Sequence, residues 1–165
     1  RLGRLDEATE VLDPLQMLPA PGQGALAVEC RADDTATLEA LAVLDDPGTR
    51  AAINAERAVL ATLEGGCSSP IGTLGELAEG EDGPELWVRA VVLSADGGLS
   101  VRRSATAPLG DDPAGWPEAG STLGTTLAEE MLADGAADLD TNPNHNEQHD
   151  QNAHPSALTA EVLNP

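Results

Sequence analysis

At 165 residues the chain is long enough for one ordinary domain with a core of its own. It carries 29 Asp and Glu against 8 Arg and no Lys, and this formal charge of -21 excludes nucleic acid and anionic membrane surfaces as partners. No apolar run is long enough for a membrane helix, no signal peptide is visible, and Phe and Tyr are absent, so the chain has no base-stacking platform and must build its core from Leu, Val, Ile and Ala.

Residues 1–13 read as the end of a helix running into an extended segment, and a chain that opens inside a helix implies more sequence upstream. From Pro14 to Gly24 the prolines Pro19 and Pro21, with Gly22 and Gly24, exclude a regular helix. Residues 25–30 (ALAVEC) are short and mostly apolar, as in a buried strand, and Leu38, Leu41, Ala42 and Leu44 then follow at helical spacing.

Asp46-Pro47 predicts a helix start, with Asp46 as N-cap and Pro47 in the first helical position. The helix extends to about residue 64, with Ile53, Leu60 and Leu63 sharing one face and Ala52 and Val59 beside them. Gly65-Gly66 ends it in the left-handed cap conformation. Strands are expected over 70–78, 85–94 and 99–106, the last two joined at Ala95-Asp96-Gly97-Gly98, a hairpin signal. A final amphipathic helix over 117–134 places Leu123, Leu127 and Met131 on one face and stops at Gly135. The order gives an α+β fold: a small three-stranded antiparallel sheet with helices on one face. Residues 140–165 are rich in Asn, His, Gln, Asp and Pro and read as a disordered tail. The tail histidines His145, His149 and His154 have no core to fix a metal geometry, so no metal site is assigned.

Two cysteines, Cys30 and Cys67, are too few for a disulfide scaffold and suit a reducing cytoplasm. Cys67 follows Gly65-Gly66, a loop with room for a bulky covalent group. It also follows a helix C-terminus, where the dipole disfavours a thiolate. Spacing alone leaves two readings open, a buried structural cysteine and a passive attachment point. No ordered His accompanies it, which speaks against a cysteine hydrolase. The stretch from Pro19 to Gly24 lacks the features of a nucleotide loop and reads as a crossing between two packed units, from which Gln23 could project an amide into a cleft. Arginine suits a polycarboxylate ligand: Arg1, Arg4 and Arg31 lie near the crossing, and Arg50 and Arg57 on the helix before Cys67. Beside Glu56, Arg57 could equally belong to a solvated helix face. Arg89, Arg102 and Arg103 sit on strands, where solubility is the plainer role.

The runs LPAPGQGALAVECR (Leu18 to Arg31), AERAVLATLEGGCSSPIG (Ala55 to Gly72) and ELWVRAVVLSADG (Glu85 to Gly97) together resemble the C-terminal portion of the hydroxymethylbilane synthase (porphobilinogen deaminase) family, over about residues 1–139. The resemblance implies a three-domain, usually monomeric, cytoplasmic enzyme that joins four porphobilinogen molecules head to tail and releases ammonia. Its substrates are porphobilinogen and the growing oligopyrrole. It implies a dipyrromethane cofactor held by a thioether at Cys67, with Gln23 and Gly24 lining the cofactor cleft and Arg1 contacting substrate carboxylates. Residues 1–45 would be a strand and helix remnant of the first two domains, and 46–139 the third domain, which carries Cys67. The family's catalytic aspartate, and the lysine and arginines around it, belong to segments not found in this sequence. The chain alone is therefore expected to be inactive, and a non-catalytic α+β binding module is the alternative.

Overall fold

Residues 86–93 are apolar at every position but Arg89, and this run lies in the central strand. A computed structural model describes residues 3–64 and 70–139. Three strands, β1 (Ile71–Gly80), β2 (Gly83–Leu93) and β3 (Ser100–Pro108), make one antiparallel sheet in the order β1-β2-β3. β1 and β2 meet at Glu81-Asp82, where Gly83 has a φ of 121°. β2 and β3 are joined through Ala95-Asp96-Gly97-Gly98, as the sequence predicts, with Gly97 at a φ of 72°.

Leu86, Val88, Ala90 and Val92 alternate along β2 and are buried on one face of the sheet. Two helices cover that face: α2 (Pro47–Thr62), lying mainly over β1, and α3 (Trp116–Ala133), lying mainly over β3. A shorter helix, α1 (Thr35–Leu41), precedes them and runs into a 3-10 turn over Ala42–Leu44. The Asp46 carboxylate accepts the Thr49 N–H at 2.7 Å, so the predicted cap on α2 is made. α3 buries Leu123, Leu127 and Met131 as its periodicity requires, and Gly135 follows with a φ of 92°.

The buried face of α2 differs from the expected one. Ala51, Ala52, Ala55 and Val59 turn inward, while Ile53, Leu60 and Leu63 are only partly buried. The reason is close helix packing. A Cβ on Gly120 or Gly124 of α3 would collide with the backbone carbonyl of Ala51 or Ala55. Small side chains let the two backbones approach, and larger ones are displaced to the flanks. At the C-terminal end of α2 the left-handed residue is Glu64, with a φ of 53°, and Gly65-Gly66 lies outside the described residues.

The N-terminal third departs most from expectation. The predicted helix end shrinks to a 3-10 turn over Leu5–Glu7, and residues 25–30 form no strand. Leu26 is 85% and Val28 64% exposed. A buried strand needs partners for both its backbone and its apolar face, and the described residues supply neither for 25–30. The predicted tail over 140–165 lies outside the described residues.

Candidate functional site

The crossing segment docks on the free edge of β1. Pairing with β2 uses one edge of β1 and leaves amides on the other edge without a strand partner. The Thr73 N–H is taken by the Pro19 carbonyl at 2.8 Å. The Gly75 N–H is taken by the Glu56 side chain, Oε1, at 2.8 Å. The second oxygen of the same carboxylate, Oε2, accepts the Gly22 N–H at 2.6 Å. Leu18, 8% exposed, packs on the opposite face of the sheet from the helices, where a Cβ at Gly72 would lie 2.9 Å from its own Cβ. Residues 18–22 are thus held by two backbone contacts and one apolar contact to the unit formed by α2 and β1.

Glu56 is 4% exposed. Burial pushes its carboxyl above the usual carboxylate range, opposed by the Gly22 and Gly75 amides and by the nearby Arg57 guanidinium. Both amides belong to glycines set where a side chain is resisted. Gly22 has a φ of 77°, a conformation few side chains tolerate, and a Cβ on Gly75 would lie 3.0 Å from Ala52 atoms.

Gln23 and Gly24 follow at once. The Gln23 side chain turns back on its own loop, accepting the Ala20 N–H at 3.2 Å, and is exposed. Gly24 borders a cleft of about 350 Å³ that also meets Gly48, Ile53, Glu56 and Gly75. A neighbouring recess of about 330 Å³ is lined by Gly22, Arg50, Asn54 and Arg57, among others. In it, Arg50 is engaged by Asp45 at 2.6 Å, and Arg57 Nε stands 3.6 Å from where a Gly22 Cβ would be. The structure therefore ties Gly22 to α2 and puts Gly24 on the border of the cleft beside that helix, while Gln23 stays exposed on its own loop. Cys67 itself and Arg1 lie outside the described residues. The segment holding Cys67 leaves α2 at Glu64 and returns at Pro70, whose carbonyl accepts the Leu93 N–H at 3.0 Å. Cys30 is a free, half-buried thiol.

The strand arginines do more than decorate the surface. Arg89 contacts Glu76 at 2.7 Å and lies 5.7 Å from the centre of the Trp87 ring, and Arg103 reaches Asp134 at 2.5 Å. Arg102 donates to the Leu15 carbonyl at 3.3 Å, a further tie to the crossing segment. Among the described residues no group of three His, Cys, Asp or Glu side chains could hold a metal ion, and no helix is long and apolar enough to cross a membrane.

A family model described as porphobilinogen deaminase, C-terminal domain, matches residues 51–133. A second, described as porphobilinogen deaminase, dipyromethane cofactor binding domain, matches residues 1–39. The chain is 52% identical over 140 residues to porphobilinogen deaminase 1 of Streptomyces coelicolor, covering 84% of this chain and 43% of that protein. It is 50% identical over 144 residues to porphobilinogen deaminase of Nocardia farcinica, covering 84% of this chain and 39% of the relative. With the protein of that name from Mycolicibacterium gilvum it shares 49% over 144 residues, at 84% and 44% coverage. The chain thus spans less than half the length of these relatives.

Proposed function

The chain belongs to the porphobilinogen deaminase family, and from that premise we propose that it is the C-terminal portion of an enzyme of tetrapyrrole biosynthesis acting in the cytoplasm. The intact enzyme polymerises four porphobilinogen molecules into hydroxymethylbilane and releases ammonia. The observation that carries this reading is identity of about half, extending over both the crossing segment and the sheet domain. Residues 46–139 form the unit that carries the attachment cysteine, and residues 1–45 belong with the preceding domains.

In this reading Cys67 holds the dipyrromethane cofactor by a thioether, Gln23 and Gly24 line its cleft, and Arg1 contacts substrate carboxylates. The residues of the neighbouring recess suit such a group on one wall. The cofactor is a two-pyrrole polycarboxylate, and Arg57 offers a guanidinium donor there, beside a Gly22 backbone that adds no bulk, while the Asn54 amide donates to the Pro117 carbonyl. Two acids also line the recess, Asp45, which is paired with Arg50, and Asp46, which caps α2, while Glu56 is turned inward onto two amides. When bound, the cofactor supplies the pyrrole terminus to which substrate units are added. The chain's own residues anchor it, shape one side of the cleft and orient its carboxylates.

Intact mass of the full-length protein tests the assignment. The expected result is an addition of two pyrrole units mapping to Cys67, with a colour reaction to Ehrlich's reagent. An unmodified mass in full-length protein purified from a cell that makes porphobilinogen would sink it.

A further inference from the structure

We propose that Glu56 is a positioning residue, whose buried carboxylate latches the Gly22–Gly24 turn to the unit that carries Cys67. The inference rests on the reading of Cys67, Gln23 and Gly24 given above and adds a residue to that site.

Three observations meet at this carboxylate. Its two oxygens are divided between two chain segments, with Oε2 on the Gly22 amide at 2.6 Å and Oε1 on the Gly75 amide at 2.8 Å. Both partners are glycines at places that resist a side chain. The carboxylate is buried in the middle of the small-residue face of α2, where an acid is costly unless it has hydrogen-bond partners. A helix that needed only to pack would place an alanine there, as it does at Ala51, Ala52 and Ala55. The acid costs desolvation and returns a bridge between the crossing segment and the edge of β1. Glu56 stands on the helix that runs toward Cys67, and Gly22 directly precedes Gln23 and Gly24. The bridge therefore sets the spacing between the turn that lines the cofactor cleft and the helix that presents the anchor. The Pro19–Thr73 and Arg102–Leu15 hydrogen bonds tie down the earlier part of the segment, and Glu56 is the side chain that fixes its glycine turn.

The test compares wild type, Glu56→Gln and Val59→Ala in the full-length enzyme. Val59 is fully buried one turn further along α2 and contacts none of the latch atoms in a hydrogen bond, so its truncation loosens the same domain without touching the bridge. Two readouts are taken at a temperature where all three remain folded: amide hydrogen exchange of the peptide containing Gly22, and the fraction of Cys67 carrying the two-pyrrole adduct by intact mass. Glutamine keeps one acceptor and turns its amide NH2, a donor, toward the other N–H, so exchange at Gly22 is expected to rise about tenfold or more, the effect of losing a charge-assisted hydrogen bond. Exchange within α3 stays at the wild-type rate, and cofactor loading falls. Val59→Ala is expected to lower thermal stability with Gly22 exchange and loading near wild type. If Glu56→Gln and Val59→Ala behave alike in both readouts, Glu56 only supports the fold and the proposal is overturned. Accelerated Gly22 exchange with full loading would likewise overturn the positioning role. If the wild type itself carries no adduct, the assignment of Cys67 fails, and Gly22 exchange still decides whether the latch exists.

Discussion

Burial raises the Glu56 carboxyl above the usual carboxylate range, so the folded state holds its proton to a higher pH than the unfolded chain does. Between the ordinary carboxylate value and the raised one, the native state binds more protons than the unfolded state. Stability from this group is then fully present below the unfolded value and is lost as pH rises through the folded one. Asp34, Asp46 and Asp96 shift the other way, held low by hydrogen bonds from Thr37, Thr49 and Ser94 respectively, but they are common to wild type and variant. The difference in unfolding free energy between wild type and Glu56→Gln isolates Glu56. That difference should shift in favour of wild type as pH is lowered from 7 toward the ordinary carboxylate range, in urea titrations at each pH. A pH-independent difference would show the carboxyl to be unshifted. A second buried polar group behaves more simply. The Thr73 hydroxyl is fully buried and finds no hydrogen-bond partner among the described residues. Thr73→Val keeps the shape and removes the desolvated hydroxyl, so it should stabilise by about 1 kcal/mol in the same titrations. Neither residue stood out in the sequence. Glu56 reads as part of a polar pair with Arg57 when residues are taken in order. The available signal was its place among Ala51, Ala52, Ala55 and Val59, an acid inside a stripe of small residues at helical spacing.

At the scale of elements, the sheet and its two helices were legible because each carries its own local instructions. The nearly continuous apolar run along β2, Gly97 in the β2–β3 connection, the Asp46-Pro47 start and the Leu123, Leu127, Met131 face of α3 are all short-range patterns. The inward face of α2 was misread because hydrophobicity points to Leu60 and Leu63, whereas close helix approach selects Ala51 and Ala55. That approach depends on glycines some seventy residues away on α3, which no local pattern reveals. It also gives a sharp prediction. A methyl on Gly124 would collide with the Ala55 carbonyl, and both partners are backbone, so the clash can be relieved only by moving a helix. Gly124→Ala should therefore destabilise by at least about 2 kcal/mol, although alanine favours helix more than glycine does. A stabilised Gly124→Ala protein in thermal melts would mean the helices are further apart than described. Asp46→Ala removes only the cap on α2 and should cost about 1 kcal/mol. Residues 25–30 show the converse of legibility. Their apolar pattern asks for a buried strand, but such a strand exists only where a sheet receives it.

For the whole molecule, exposed apolar side chains and charge lead to the same expectation. Leu5, Val11, Met17, Leu26, Val28 and Val43 are each exposed by more than half, and all lie in the first 44 residues. The sheet domain keeps its large apolar residues mostly inside, with Trp87 at 39% among its exceptions. If the proposed function holds, a surface of the first kind is expected to be covered by another part of the enzyme. Charge makes the same division. Porphobilinogen and its oligomers are polycarboxylates, and a chain with 29 acids and 8 arginines repels them at long range. Several of those arginines are already committed to Glu7, Asp45, Glu76 or Asp134. What is left near the recess is Arg57, beside Asp45 and Asp46, too little to gather several carboxylates or to protonate a reacting pyrrole. The 165 residues alone should therefore form no bilane from porphobilinogen and acquire no two-pyrrole adduct on Cys67. Both are measurable on the purified chain after incubation with substrate, by absorbance of the oxidised product and by intact mass. The same incubation with the full-length enzyme should give both signals. Raising salt to screen the repulsion should not rescue the isolated chain, because screening removes an obstacle without adding cationic side chains. Bilane formation by the isolated chain at any ionic strength would mean that the catalytic groups lie within these residues after all.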